Sequence, residues 1–273
     1  MLRVPVACVL SLVLCTAAYA DTLILDGNFI QGGLIVGRTD PGTRISLDGR
    51  LISVGDDGRF VFGFGRDAKQ NAILQTIFPD GKRRVRQLTV KQRKYRIQRI
   101  SGLPSRMVTP SLAALLRIRA EGKAIRAARA VFTVADGFLH GFIWPAKGRI
   151  SGVYGSQRIL NGKPRRPHLG LDIAAPVGTP IVASAAGKVT LANINMYFTG
   201  GTVIIDHGYG LSTVYSHLSA VDIRLGQNVK QGQLIGKLGA TGRATGPHLD
   251  WRLNWFQERL DPRFLVGPIP KYR

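Results

Sequence analysis

Gly246-Pro247-His248-Leu249-Asp250-Trp251 reads as part of a β-strand, on which successive side chains alternate between two faces. His248 and Asp250 fall on one face, and the apolar Leu249 and Trp251 on the other. Two groups able to hold a metal or move a proton thus flank one spot with an apolar underside. His168-Leu-Gly-Leu-Asp172 has the same logic. Residues i, i+2 and i+4 of a strand share a face, so His168 and Asp172 point the same way, and side-chain-free Gly170 leaves room for an ion. In Val214-Tyr-Ser-His-Leu218, His217 follows an alternating apolar strand, and taken alone it also fits a structural histidine. These pieces hold three of the five histidines. Histidine plus carboxylate at these spacings suits a mononuclear Zn²⁺ site, with histidines left over for acid–base work.

The sequence around them is β throughout. From Phe142 onward it is glycine-rich with short apolar strands, such as Pro180-Ile-Val-Ala183, Gly201-Thr-Val-Ile-Ile-Asp206 and Leu234-Ile-Gly-Lys-Leu238. No helix-period run appears there, so an all-β domain is expected over residues 136–273. Residues 21–103 also read as short strands, with turn signals at Asp48-Gly49, Asp57-Gly58 and Asp80-Gly81. Phe60, Phe62 and Phe64 share one strand face and read as core, and the spacing suggests a small β-sandwich. Between the two, residues 104–135 are expected to be a helical connector. Gly102-Leu-Pro104 and Thr109-Pro110 mark a break, and Ser111 can cap a helix running to about Arg129. Leu112, Leu115, Leu116 and Ile125 would form its apolar side, with Arg117, Arg119, Lys123, Arg126 and Arg129 on the other. Gly122 weakens it in the middle. The expected fold class is therefore mainly β: a small N-terminal β-sandwich, a short helical connector and a C-terminal β domain.

Residues 1–20 stand apart. Arg3, the apolar run Val4 to Thr16 and Ala18-Tyr-Ala20 match a cleaved secretory signal peptide. Both cysteines, Cys8 and Cys15, lie inside it, so the mature protein would have no thiolate ligand and any metal must be held by His and carboxylate. No other run approaches the length of a membrane span. The 38 Lys+Arg against 16 Asp+Glu favour anionic partners. Export argues against nucleic acid and for the periplasm or cell envelope. The basic stretch from Lys82 to Arg99 fits a polyanion-binding strip or a solvated strand face equally well.

Together the motifs resemble the LytM/lysostaphin-like zinc metallopeptidases, the M23 peptidase family. The resemblance covers about Gly148 to Pro262 and includes Asp172-Ile-Ala-Ala-Pro-Val-Gly-Thr-Pro180, Asp206-His-Gly208 and Gly226-Gln-Asn-Val-Lys-Gln-Gly232. It implies a β-barrel-like sheet with an open groove, and hydrolysis of peptide bonds in peptidoglycan. By resemblance His168 and Asp172 are Zn²⁺ ligands, and His217 and His248 are metal-free histidines that orient water and stabilise the oxyanion. The third ligand of the family is the second His of a His-x-His, and here that position is Asp250. Aspartate is an acceptable Zn²⁺ ligand, but two carboxylates leave the centre less positive. Arg252, on the same strand face, could restore positive charge or capture Asp250 in an ion pair. The family more often carries an acidic residue there. Three readings follow: an exported zinc endopeptidase of the wall; a degenerate LytM-domain protein that binds the wall and activates other wall hydrolases; or a basic envelope scaffold. The connector helix could also cover the groove. Tyr154 and Tyr215 are candidates to line the groove, His207 reads as structural, and His140 is given no role.

Overall fold

A computed structural model describes residues 22–100, 112–160, 163–164 and 166–269. The signal-like residues 1–20, both cysteines, Ser111 and the breaks at 102–104 and 109–110 lie outside the described residues.

The N-terminal region is built from β1 (Leu23–Gly27), β2 (Leu34–Thr39), β3 (Arg44–Leu47), β4 (Arg50–Ile52), β5 (Arg59–Gly63), β6 (Asn71–Ile77), β7 (Arg83–Thr89) and β8 (Ile97–Ile100). The first seven form two antiparallel sheets, ordered β1-β2-β5 and β4-β3-β6-β7. Phe60, Phe62 and Phe64 are buried with Ile35, Ile45 and Leu74 in the resulting core, as their alternation predicts. That core does not stop at the N-terminal region: Tyr209, Leu211, Leu253, Trp255 and Leu260 belong to it as well.

The C-terminal region contains α1 (Leu112–Arg129), then β9 (Arg149–Gly152), β10 (Gln157–Leu160), β11 (Lys163–Pro164), β12 (Leu171–Ala174), β13 (Pro180–Val182), β14 (Gly187–Met196), β15 (Gly200–Gly208), β16 (Leu211–Val221), β17 (Asn228–Val229), β18 (Leu234–Leu238), β19 (His248–Trp255) and β20 (Glu258–Leu260). A ten-stranded sheet follows the path β17-β14-β15-β16-β19-β12-β9, with β13, β18 and β20 paired alongside. Mainly β architecture is thus what the molecule has. The sheet path is open, and no closed barrel forms among the described residues. Leu171, Ile173, Tyr215, Leu249 and Trp251 project from one face of its centre into a second core.

The helix runs unbroken through Gly122, but its apolar side behaves differently from the pattern. Leu112 and Leu116 are exposed, whereas Ile125 and Ala128 pack on Leu191, Met196, Ile204 and Val214. The reason is reach: only the C-terminal half of α1 lies over the sheet's apolar surface. Val214 is the cross-strand partner of Arg252, so the helix shares the sheet face on which Arg252 and Asp250 lie. Arg129, assigned to the basic side by its spacing, is buried, and its guanidinium donates to the carbonyls of Phe256 and Gln257 in the β19–β20 turn. No helix among the described residues is long and apolar enough to cross a membrane.

Candidate active site

Strand register assembles the site. In the β12–β19 ladder Asp172 lies directly opposite Asp250 and Ala174 opposite His248, and in the β16–β19 ladder Ser216 lies opposite Asp250. Two like charges in direct cross-strand contact are unfavourable unless something compensates. For Asp250 the compensation is Arg252. Its Nε donates to both carboxylate oxygens, at 2.9 and 3.0 Å, and its Nη2 also donates to Oδ2. Burial would raise the Asp250 pKa, but the charge and hydrogen bonds of Arg252 outweigh it and hold the carboxyl well below the usual range. Asp172 has no such partner, and burial pushes its pKa up, with His168 opposing.

His168 precedes β12 in a segment tied to residues 153–156. Its N–H donates to the Ser156 carbonyl at 2.8 Å, and its carbonyl accepts from Gly155 at 2.7 Å. Its Nε2 lies 3.3 Å from Asp172 Oδ1. Neither atom has a hydrogen-bond partner among the described residues, although both are buried. Buried polar atoms are rarely left so, and an unpaired imidazole nitrogen beside an unpaired carboxylate oxygen is an arrangement that a cation resolves. One ligand atom each from His168, Asp172 and Asp250 lies within 4.8 Å of the others. The His/Asp/Asp donor set therefore fits a divalent cation such as Zn²⁺. Two close backbone approaches keep the place open. A Cβ on Gly152 would come 2.1 Å from Asp172 Oδ2, and one on Gly170 2.7 Å from Asp250 Oδ1 and 2.6 Å from the Arg252 Cγ.

The two remaining histidines stand alongside. Their ring centroids are 4.7 Å apart, and His248 Nε2 lies 3.8 Å from Asp172 Oδ1. His217 Nδ1 bonds the Thr241 carbonyl at 2.8 Å, and His248 Nδ1 bonds the Gly246 carbonyl at 2.8 Å. Because a carbonyl can only accept, both Nδ1 atoms carry the proton, which leaves each neutral ring an Nε2 lone pair. Burial lowers the His217 pKa and favours that neutral form. His217 also has a positive φ of 67° at the irregular end of β16, where the ladder to β18 shifts register. Such backbone turns re-aim a side chain beside functional sites, and period-two reading of the sequence cannot reveal them.

The structure thus brings together all five residues singled out by sequence: His168, Asp172, His217, His248 and Asp250. It does not bring Tyr154 or Tyr215 to the groove. Both are buried, with the Tyr154 hydroxyl donating to the Arg259 carbonyl and the Tyr215 hydroxyl engaged with Ser184 and Thr213. His207 is fully buried between the Ala186 carbonyl and Thr213 Oγ1, as a structural histidine should be. Gly152 and Ser216 were missed by sequence reasoning. Ser216 is buried, its hydroxyl unpartnered among the described residues, and only the strand register places either residue at the site.

Residues 166–262 match the model of peptidase family M23. A solved structure from Pseudomonas aeruginosa, described as a peptidase M23, superposes with a TM-score of 0.67 at 31% identity, covering 87% of this chain and 95% of that one. The chain belongs to peptidase family M23. It is 42% identical over 109 residues to the peptidoglycan DD-endopeptidase ShyA of Vibrio cholerae, covering 40% of this chain and 25% of that protein. It is 35% identical over 127 residues to the cell division protein DipM of Caulobacter vibrioides, covering 46% of this chain and 20% of that one. The chain spans about a quarter or less of the length of these curated relatives.

Proposed function

We propose that this protein is an exported, zinc-dependent endopeptidase that hydrolyses peptide cross-links of peptidoglycan. The observation that carries the reading is the buried, unpartnered pair His168 Nε2 and Asp172 Oδ1, converging with Asp250 beside two histidines that each keep a free Nε2. His168, Asp172 and Asp250 would hold the ion. When bound, Zn²⁺ supplies Lewis acidity and makes water a nucleophile near neutral pH. His217 and His248 do the proton work. One Nε2 would accept a proton from the attacking water and return it to the leaving amine, while the other ring, protonated from solvent at Nε2, would donate a hydrogen bond to the developing oxyanion. The bonds from Nδ1 to Thr241 and Gly246 fix each tautomer for that task. A peptidoglycan substrate is supported by relatives named as peptidoglycan endopeptidases, and it accords with the signal-like residues 1–20 and a location in the periplasm or envelope.

A second reading is favoured by one specific observation: Arg252 engages both oxygens of Asp250. If that pair excludes metal, the protein is a degenerate LytM-domain protein that binds the wall and acts through other hydrolases. DipM, a relative named for cell division, accords with this. Metal content of the full chain, measured alongside a digest of purified peptidoglycan, separates the two. About one Zn²⁺ per chain with release of uncross-linked muropeptides, both lost in Asp172→Asn, is the outcome expected for the peptidase. Wall binding with neither metal nor digestion would leave the second reading.

A further inference from the structure

Asp250 and Arg252 are two residues apart on one strand face, and their contact is a complete fork. Oδ1 accepts one hydrogen bond, from Nε, while Oδ2 accepts from both Nε and Nη2. Oδ1 therefore keeps the freer lone pair. It is also the oxygen that approaches Gly170, midway between His168 and Asp172, where a Cβ would come within 2.7 Å. The fork thus leaves Oδ1, the oxygen beside Gly170, with one hydrogen bond and Oδ2 with two.

Charge gives the pair a further meaning. Asp172 and Asp250 contribute two negative charges and Arg252 one positive, so the site as a whole carries the charge of a single carboxylate. That is the charge that one carboxylate and two neutral imidazoles would give. Asp250 and Arg252 together imitate one neutral ligand. Arg252 has little alternative employment: Arg129 and Arg259 lie close enough to repel it, and Asp250 is the carboxylate it bonds among the described residues.

We infer that Arg252 is a positioning residue that acts on the metal site through Asp250: its charge weakens the hold of the site on divalent metal. The inference rests on the metal-binding reading above. A merely structural arginine would, on removal, loosen the site and weaken metal binding. A competing, charge-cancelling arginine predicts the opposite sign.

The test is Zn²⁺ affinity of the metal-stripped full chain, measured by competition with a chromophoric chelator, with folding followed by circular dichroism. Arg252→Gln removes the charge and is expected to bind Zn²⁺ on the order of tenfold tighter or more, while peptidoglycan hydrolysis falls. Arg252→Lys keeps the charge without the fork and is expected to stay within about threefold of wild type in Zn²⁺ affinity. Unchanged or weaker binding in folded Arg252→Gln would overturn the inference. So would equal tightening in both variants, because charge would then not be the cause. Should Arg252→Gln fail to fold, loss of Zn²⁺ affinity in Arg252→Lys beyond that range would overturn it, and retention would support it. Zn²⁺ on Arg252→Gln but none on wild type would uphold the competition while removing the peptidase reading. No Zn²⁺ on any of the three would remove both.

Discussion

The Gly155 N–H donates to the His168 carbonyl at 2.7 Å, and this bond is the first link in a run of contacts from a candidate metal ligand to the N-terminal region. Gly155 accepts at its own carbonyl from Arg66 Nε at 2.9 Å, and the Arg66 guanidinium lies 4.4 Å from the centre of the Tyr95 ring. Gln157 N–H donates to the Arg96 carbonyl, and β8 pairs in parallel with β10. His168 is therefore braced from behind by residues far outside the recognisable peptidase sequence. Arg66→Ala should lower stability by about 2–4 kcal/mol, the combined range for a charged hydrogen bond and a cation–π contact. It should also weaken Zn²⁺ binding, although Arg66 touches no ligand. Unchanged Zn²⁺ affinity in a destabilised variant would remove the bracing role.

Gly152→Ala should damage the site without damaging the fold. The added methyl would meet the end of the Asp172 side chain at 2.1 Å, and a carboxylate can swing away where backbone cannot. We expect a melting temperature within a few degrees of wild type and a loss of Zn²⁺ binding and hydrolysis of at least about tenfold. A large fall in melting temperature would place the strain in the strand instead.

Removing Asp250 alone should cost far more stability than removing the pair. Asp250→Ala leaves the partly buried Arg252 without its carboxylate, facing Arg129 and Arg259, and losses of about 3–5 kcal/mol are typical when one partner of a buried pair goes. Asp250→Ala with Arg252→Leu should recover much of this in a double-mutant cycle by chemical denaturation. Strictly additive losses would show that the pair is not a unit. Loss of activity in Asp250→Ala therefore mixes misfolding with lost coordination, and Asp250→Asn is the cleaner probe.

His207 should impose an acid limit on the fold. Burial lowers its pKa from the usual 6.5 to about 4, so the folded protein binds this proton less readily than the unfolded chain. The corresponding stability, about 3 kcal/mol, is fully present above pH 6.5 and is lost as pH falls from there toward 4. Denaturation midpoints measured across that window should fall with decreasing pH in wild type and stay flatter in His207→Gln. Identical slopes would assign the acid sensitivity to other groups.

Much of this was legible in the sequence, because strand alternation is a local property. His248 with Asp250 and the Phe60–Phe62–Phe64 face follow from period two, whereas His168 meets Asp172 from a segment just before β12 rather than from the strand itself. What pairs with what does not. The opposition of Asp172 and Asp250 is set by a non-local ladder, and the roles of Gly152 and Ser216 exist only once that ladder forms. Amphipathic spacing overstated the buried side of α1, since Leu112 and Leu116 extend past the surface that covers Ile125 and Ala128. Spacing alone put Arg129 on the basic side for a similar reason: its partners are turn carbonyls at Phe256 and Gln257, which no sequence pattern announces.

The core that joins Phe60 and Leu74 to Leu253, Trp255 and Leu260 limits how this chain can be cut and recombined. Arg93 reinforces the junction through its 2.8 Å ion pair with buried Asp261. A fragment beginning after the helix would expose one wall of its own interior, and a foreign module fused in place of residues 22–100 would have to rebuild that wall. Heating should therefore melt both halves in a single transition, and substitutions deep in the N-terminal sheets should be felt in the position of His168 as surely as those beside it.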